Sequence, residues 1–75
     1  MSRFDALYDR GIAVGESDIL NDAMNFRFRD ETFTLPFLEV YPFVEDSGYG
    51  FYTMPLVKLQ EIEREQAGKH ALKVP

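Results

Sequence analysis

Between residues 24 and 35 the chain reads MNFRFRDETFTL, and its apolar side chains recur at every second position. Met24, Phe26 and Phe28 alternate with Asn25, Arg27 and Arg29, and Phe33 and Leu35 alternate with Thr32 and Thr34. A period of two sends alternate residues to opposite faces of a strand, so the stretch predicts an antiparallel hairpin. Asp30 and Glu31 lie near its turn. Asp-Glu lacks the left-handed preference of Asn-Gly, which leaves the turn type open. Once the strands pair, Arg27 and Arg29 share a polar face with the threonines.

Helical spacing flanks this hairpin. In RFDALYDRGIAV, residues 3–14, the side chains Phe4, Leu7, Tyr8, Gly11 and Ile12 fall on one face, while Asp5, Asp9 and Arg10 lie off it. That pattern predicts an amphipathic helix. Ser2 is placed to cap it, and Asp5 three residues on approximates a capping box. Gly11 weakens such a helix by about 1 kcal/mol relative to Ala, and Gly15 ends or interrupts it. ESDILNDAM follows, either a short turn capped by Ser17 and carrying Ile19, Leu20 and Ala23, or an irregular connector.

At the other end, Thr53 or Met54 caps a helix with Pro55 in its first turn, where a missing N–H costs nothing. Leu56, Leu59, Ile62 and then Gln66 or Ala67 form its apolar stripe, with Glu61, Glu63, Arg64 and Glu65 toward water. Gly68 is a natural stop, with Lys69 and His70 just beyond it, where cations suit the helix dipole. Residues 69–75 read as a tail, frayed or laid on a neighbour.

The four tyrosines and seven phenylalanines are unevenly spread, and six of these eleven rings lie in FLEVYPFVEDSGYGFYTMP, residues 37–55. Pro36 and Pro42 bracket FLEVY, which reads as an edge strand. EDSGYG, with Gly48 and Gly50, is the strongest turn signal in the chain. YGFYTM returns as another short strand. The predicted fold is therefore α+β: an N-terminal helix, a small antiparallel sheet of three to four short strands and a C-terminal helix, within one domain spanning residues 1–75. The chain contains no internal repeats or low-complexity segments.

A domain of this size buries only ~60% of its unfolded surface and often needs a staple. With no cysteine and one histidine, neither a disulfide nor a four-ligand zinc site is available. Docking into an assembly is the remaining staple. The rings point the same way, since Phe37, Tyr41, Phe43, Tyr49, Phe51 and Tyr52 exceed what one face of a two-stranded ribbon hides in so small a core. Tyrosine, with an apolar body and a polar tip, suits a half-buried contact. These six residues are the candidate partner interface.

Catalytic signatures are absent from the sequence. His70 lies past the expected helix end with no positioned partner, so it does not read as a general base. Neither GxGxxG nor a Gly-Lys-Ser/Thr phosphate cradle occurs. The acidic pairs Asp5/Asp9, Asp18/Asp22 and Glu61/Glu65 stand one helical turn apart, as decoration of exposed faces commonly does, and none has the calcium-loop spacing. Arg27 and Arg29 are placed to pair with nearby acids rather than to clamp an anion. The chain therefore reads as non-enzymatic, with no cofactor and no metal.

The net charge of −5 argues against direct nucleic-acid binding, which needs a basic face. It is compatible with ordinary solubility, a basic protein partner or nucleic-acid mimicry. No targeting signal is visible, and no apolar run approaches the ~20 residues of a membrane span. These features place the chain in the cytoplasm at synthesis, away from membranes.

FDALYDRGIA, residues 4–13, resembles the N-terminal segment of the lambda-type head–tail joining (connector) proteins of tailed bacteriophages. Those proteins open with a short amphipathic helix of the form Phe-Asp-x-Leu-(Phe/Tyr)-x-x-x-Ile-Ala, followed by a β-rich body. Phe4, Asp5, Leu7, Tyr8, Ile12 and Ala13 match that form. Such proteins are usually longer and lack an acidic C-terminal helix. The resemblance implies a structural virion component of a phage or prophage, made in the host cytoplasm. It would sit in a homo-oligomeric ring or a hetero-complex and fasten the capsid portal to the tail. The alternative is a small acidic inhibitor, of anti-defence or nucleic-acid-mimic type, that blocks a host protein complex.

Overall fold

The alternating stretch folds as expected, into β2 (Ala23–Phe28) and β3 (Glu31–Pro36), antiparallel and in unbroken register from Ala23 opposite Pro36 to Phe28 opposite Glu31. The turn falls one residue earlier than Asp30-Glu31: Arg29 and Asp30 form it, and Arg29 takes the left-handed conformation at φ 54°. The computed structural model describes residues 3–73, with residues 69–73 described by their backbone alone.

The first helix is much shorter than the spacing of residues 3–14 suggests. α1 covers Asp5–Asp9 with Phe4 at its N-cap; Ser2 lies outside the described residues. Gly11 is the reason. At φ 75° it adopts a conformation that opposes helix continuation. Its N–H donates to the Tyr8 carbonyl at 2.9 Å, and its own carbonyl accepts from Leu56 N–H at 2.8 Å.

Past that glycine the chain becomes β1 (Ile12–Asp18), not helix, and it runs down the middle of the sheet. Ala13, Val14 and Gly15 are buried in succession, which fits a strand covered on both faces. Gly15 does not end a helix. It makes room for the Phe26 ring directly opposite it, whose edge lies 2.5 Å from where a Cβ would stand. The connector to β2 contains one turn of 3-10 helix, Ile19–Asn21, and Asp22 in the left-handed region at φ 50°.

FLEVY is helical rather than an edge strand. α2 (Phe37–Val40) follows β3 directly and continues into a 3-10 turn at Tyr41–Phe43. Pro36 supplies the extended backbone before the helix, and Pro42 sits in the first positions of the 3-10 turn, where no N–H is required. Phe37 N–H donates to the Asp22 carbonyl at 2.9 Å, which ties α2 to the β1–β2 connector. Helical spacing then buries Val40 fully and leaves Leu38 83% exposed.

β4 is only Glu45–Asp46 and β5 is Tyr52–Pro55. Together the five strands form one antiparallel sheet in the order β3-β2-β1-β5-β4, one strand more than the largest number expected. Pro55 ends β5 rather than entering the next helix, and α3 runs over Leu56–Lys73. It passes through Gly68 instead of stopping there, so Lys69 and His70 belong to the helix backbone; their side chains, and residues 74 and 75, lie outside the described residues.

Opposite residues of an antiparallel pair share a face, so Ala13, Gly15, Met24, Phe26, Phe33, Leu35 and Met54 are presented together. Val40 of α2 and Leu59 and Ile62 of α3 close over that face, and all of the larger side chains in it are at most 7% exposed. The architecture is α+β, one sheet with helices toward both chain ends, as the sequence predicts.

Candidate functional site

The six candidate rings divide into three environments. Phe37 and Tyr52 pack against the core from its margin. Phe51 meets Phe4 edge-on, with ring centroids 5.0 Å apart, which ties the glycine loop to the segment before α1. Tyr41, Phe43 and Tyr49 face water at 54%, 46% and 84% exposure. Each exposed ring is nevertheless held in place or presented by its element. Tyr41 stacks on Phe37 one helical turn away at 5.1 Å, and the Lys58 ammonium of α3 lies 4.2 Å from the Phe43 ring centroid.

Tyr49 is presented differently. Gly48 and Gly50 on either side have φ of 82° and 92°, a region that side chains other than glycine rarely enter. The loop is organised by its own polar groups: Gly48 N–H donates to Asp46 Oδ1 at 2.8 Å, Ser47 Oγ donates to the Phe51 carbonyl at 2.7 Å, and Tyr49 N–H donates to Ser47 Oγ at 3.1 Å. Such an Asx-type turn fixes the tip that carries the ring.

Two shallow concavities flank the β4–β5 ribbon and share Asp46 and Tyr52. One, about 330 Å³, is bounded by Tyr41, Pro42 and Val44; the other, about 490 Å³, by Glu16, Ser17, Gly48, Gly50 and Phe51. The aromatic region is therefore a continuous relief of projecting rings and hollows around one ribbon. Both hollows are open to solvent rather than enclosed.

The structure adds apolar residues that the ring count did not include. Ile19 and Leu20 are 83% and 95% exposed at the β1–β2 connector, and Leu38, just past the bond from Phe37 to Asp22, is 83% exposed. Three branched aliphatic side chains thus project from one end of the sheet. In the sequence Ile19 and Leu20 read only as apolar residues, with Ala23, of a short turn or irregular connector.

The polar candidates resolve into local contacts. Arg29 reaches Asp9 at 2.9 Å, closing α1 onto the hairpin, and Lys58 reaches Glu61 at 3.5 Å. Asn21 donates to Asp18 at 2.8 Å, and Thr34 to Asn25 at 2.8 Å across the hairpin. Arg27 lies opposite Thr32 on the polar face, as expected. Among the described residues no group of three or more His, Asp or Glu side chains is arranged to hold a metal ion, and no helix is long and apolar enough to cross a membrane. The Tyr8 hydroxyl is buried without a hydrogen-bond partner.

No protein-family model matches the chain, and no curated protein or solved structure is similar to it.

Proposed function

We propose that the chain is a non-enzymatic structural adaptor of a phage or prophage that works inside a larger protein assembly. Tyr41, Phe43 and Tyr49 dock it on neighbouring subunits. The observation that supports this reading most is that these rings are exposed yet held: Tyr41 by its stack on Phe37, Phe43 by the Lys58 contact and Tyr49 by the hydrogen-bonded glycine loop beneath it. Rigid, exposed aromatic side chains lose little entropy on binding and are the usual anchors of protein interfaces. The resemblance of residues 4–13 to head–tail joining proteins makes a place in a virion, between portal and tail, the specific form of the proposal.

The test is co-expression with the products of the genes flanking its own, followed by sedimentation. The wild-type chain should co-sediment with a portal-type or tail-type complex. The double substitution Tyr41→Ser and Tyr49→Ser should release it without altering its circular-dichroism melt. A second reading, an acidic inhibitor of a basic partner, is favoured by one feature: Glu16 and Asp46 both border the larger hollow beside Tyr52. Carboxylate contacts weaken steeply with salt whereas ring contacts do not, so repeating the co-sedimentation across a salt series separates the two readings.

A further inference from the structure

The two edges of the sheet are built differently. β4 presents two residues, both acidic, and pairing two such edges would set like charges against one another. β3 presents six residues in unbroken register with β2, with no bulge, no lysine and a proline only at its last position. Natural edge strands are ordinarily shortened, bulged, charged or covered to prevent pairing. β3 has few of these protections, and Glu31 at its start is its single charge.

The outward polarity of this edge follows from the turn. With Arg29 and Asp30 as the two-residue connection, Phe28 and Glu31 form the closing hydrogen-bonded pair of the hairpin. Alternation then directs the backbone groups of Phe33 and Leu35 toward β2 as well. Those of Thr32 and Thr34 point away from the sheet.

We propose that β3 pairs antiparallel with β3 of a second copy of this chain, about a two-fold axis through Phe33. In that register Thr32 lies opposite Thr34 of the second copy, and every outward N–H and C=O of these two residues gains a partner. Exposed threonines meet threonines on one face, a favourable cross-strand pair. On the other face the Phe33 side chains meet, so the buried layers of the two copies adjoin. Slipping the register by one residue would set threonine against Phe33 or Leu35 and exchange the faces. Glu31 falls opposite Leu35, so no like charges face each other. The self-complementarity of the edge is what identifies the occupant, and a two-fold closes the contact at two copies. The inference rests on the backbone edge and not on the exposed rings.

The experiment is analytical ultracentrifugation of the purified chain over a range of micromolar concentrations. Wild type should show a monomer–dimer equilibrium, unchanged by Tyr41→Ala. Thr34→Pro removes an outward N–H without touching a backbone bond to β2, although it also loses the Thr34 hydroxyl's bond to Asn25, and should weaken self-association at least tenfold with the far-UV spectrum retained. A charge pair covers the case in which that proline disturbs folding. Thr32→Lys with Thr34→Lys, and Thr32→Glu with Thr34→Glu, should each be monomeric alone and dimerise when mixed. A wild-type chain that stays monomeric throughout, or a mixture of the two charge variants that stays monomeric, would overturn the proposal.

Discussion

Replacing Gly15 by alanine puts a methyl group where the Phe26 ring already lies. The added carbon would stand 2.5, 2.6 and 3.0 Å from three ring atoms, whereas carbon atoms pack best at about 3.5–4.0 Å. Phe26 is 1% exposed within the layer closed by Val40, Leu59 and Ile62, so a shift of about 1 Å displaces the neighbouring core side chains in turn. Overpacking of this kind costs about 1–3 kcal/mol, and a ring so enclosed belongs in the upper half of that range. Removing a glycine from a strand returns roughly 0.5–1 kcal/mol. The net loss is about 1–2.5 kcal/mol, which for a domain of this size lowers Tm by roughly 4–20 °C. Thermal melting followed by circular dichroism measures it. Phe26→Leu in the same chain should relieve the crowding, so that the double substitution costs less than the sum of the singles. A Gly15→Ala variant that melts with the wild type would refute the central placement of β1 and the contact with Phe26.

Three further outcomes follow from individual environments. Leu59, fully buried under the sheet, should cost about 2–5 kcal/mol when cut to alanine, enough to unfold much of a marginal domain, as urea titration would show. Tyr8→Phe removes the buried hydroxyl that lacks a partner, a group whose desolvation costs about 1–3 kcal/mol, and should raise Tm; a lowered Tm would mean that the hydroxyl is satisfied. Gly50→Ala meets no atom but must hold φ 92°, and should destabilise by about 1–2 kcal/mol through backbone strain alone, read from the same melts.

What the sequence disclosed depended on how local the deciding interaction was. The β2–β3 hairpin was legible because its alternation and its short turn lie within residues 24–35. The stripe of α3 was legible because Leu56, Leu59 and Ile62 obey one period and are respectively half-buried, 0% and 3% exposed. β1 was not, because Ile12 continues the helical spacing of Phe4, Leu7, Tyr8 and Gly11, and only the φ of Gly11 breaks it. A short apolar run covered on both faces also carries no alternation to reveal it. FLEVY misled for the converse reason. Its apparent alternation is equally a helical turn in which Phe37, Val40 and Tyr41 share a side, and the bond from Phe37 to Asp22 that fixes the choice joins residues distant in sequence. The six rings were located, but half-burial of Phe37, Phe51 and Tyr52 depends on contacts with the core and with Phe4 that no local pattern encodes.

Hydroxyl-radical footprinting tests the docking surface most directly, because it reads side-chain accessibility in the free chain and in the assembly that the chain joins. Tyr41, Phe43 and Tyr49 should be labelled readily in the free chain and become strongly protected in the assembly, while Phe26 and Phe33 should stay unreactive in both. Labelling of the three exposed rings that is the same in the free chain and the assembly would contradict the proposed docking role.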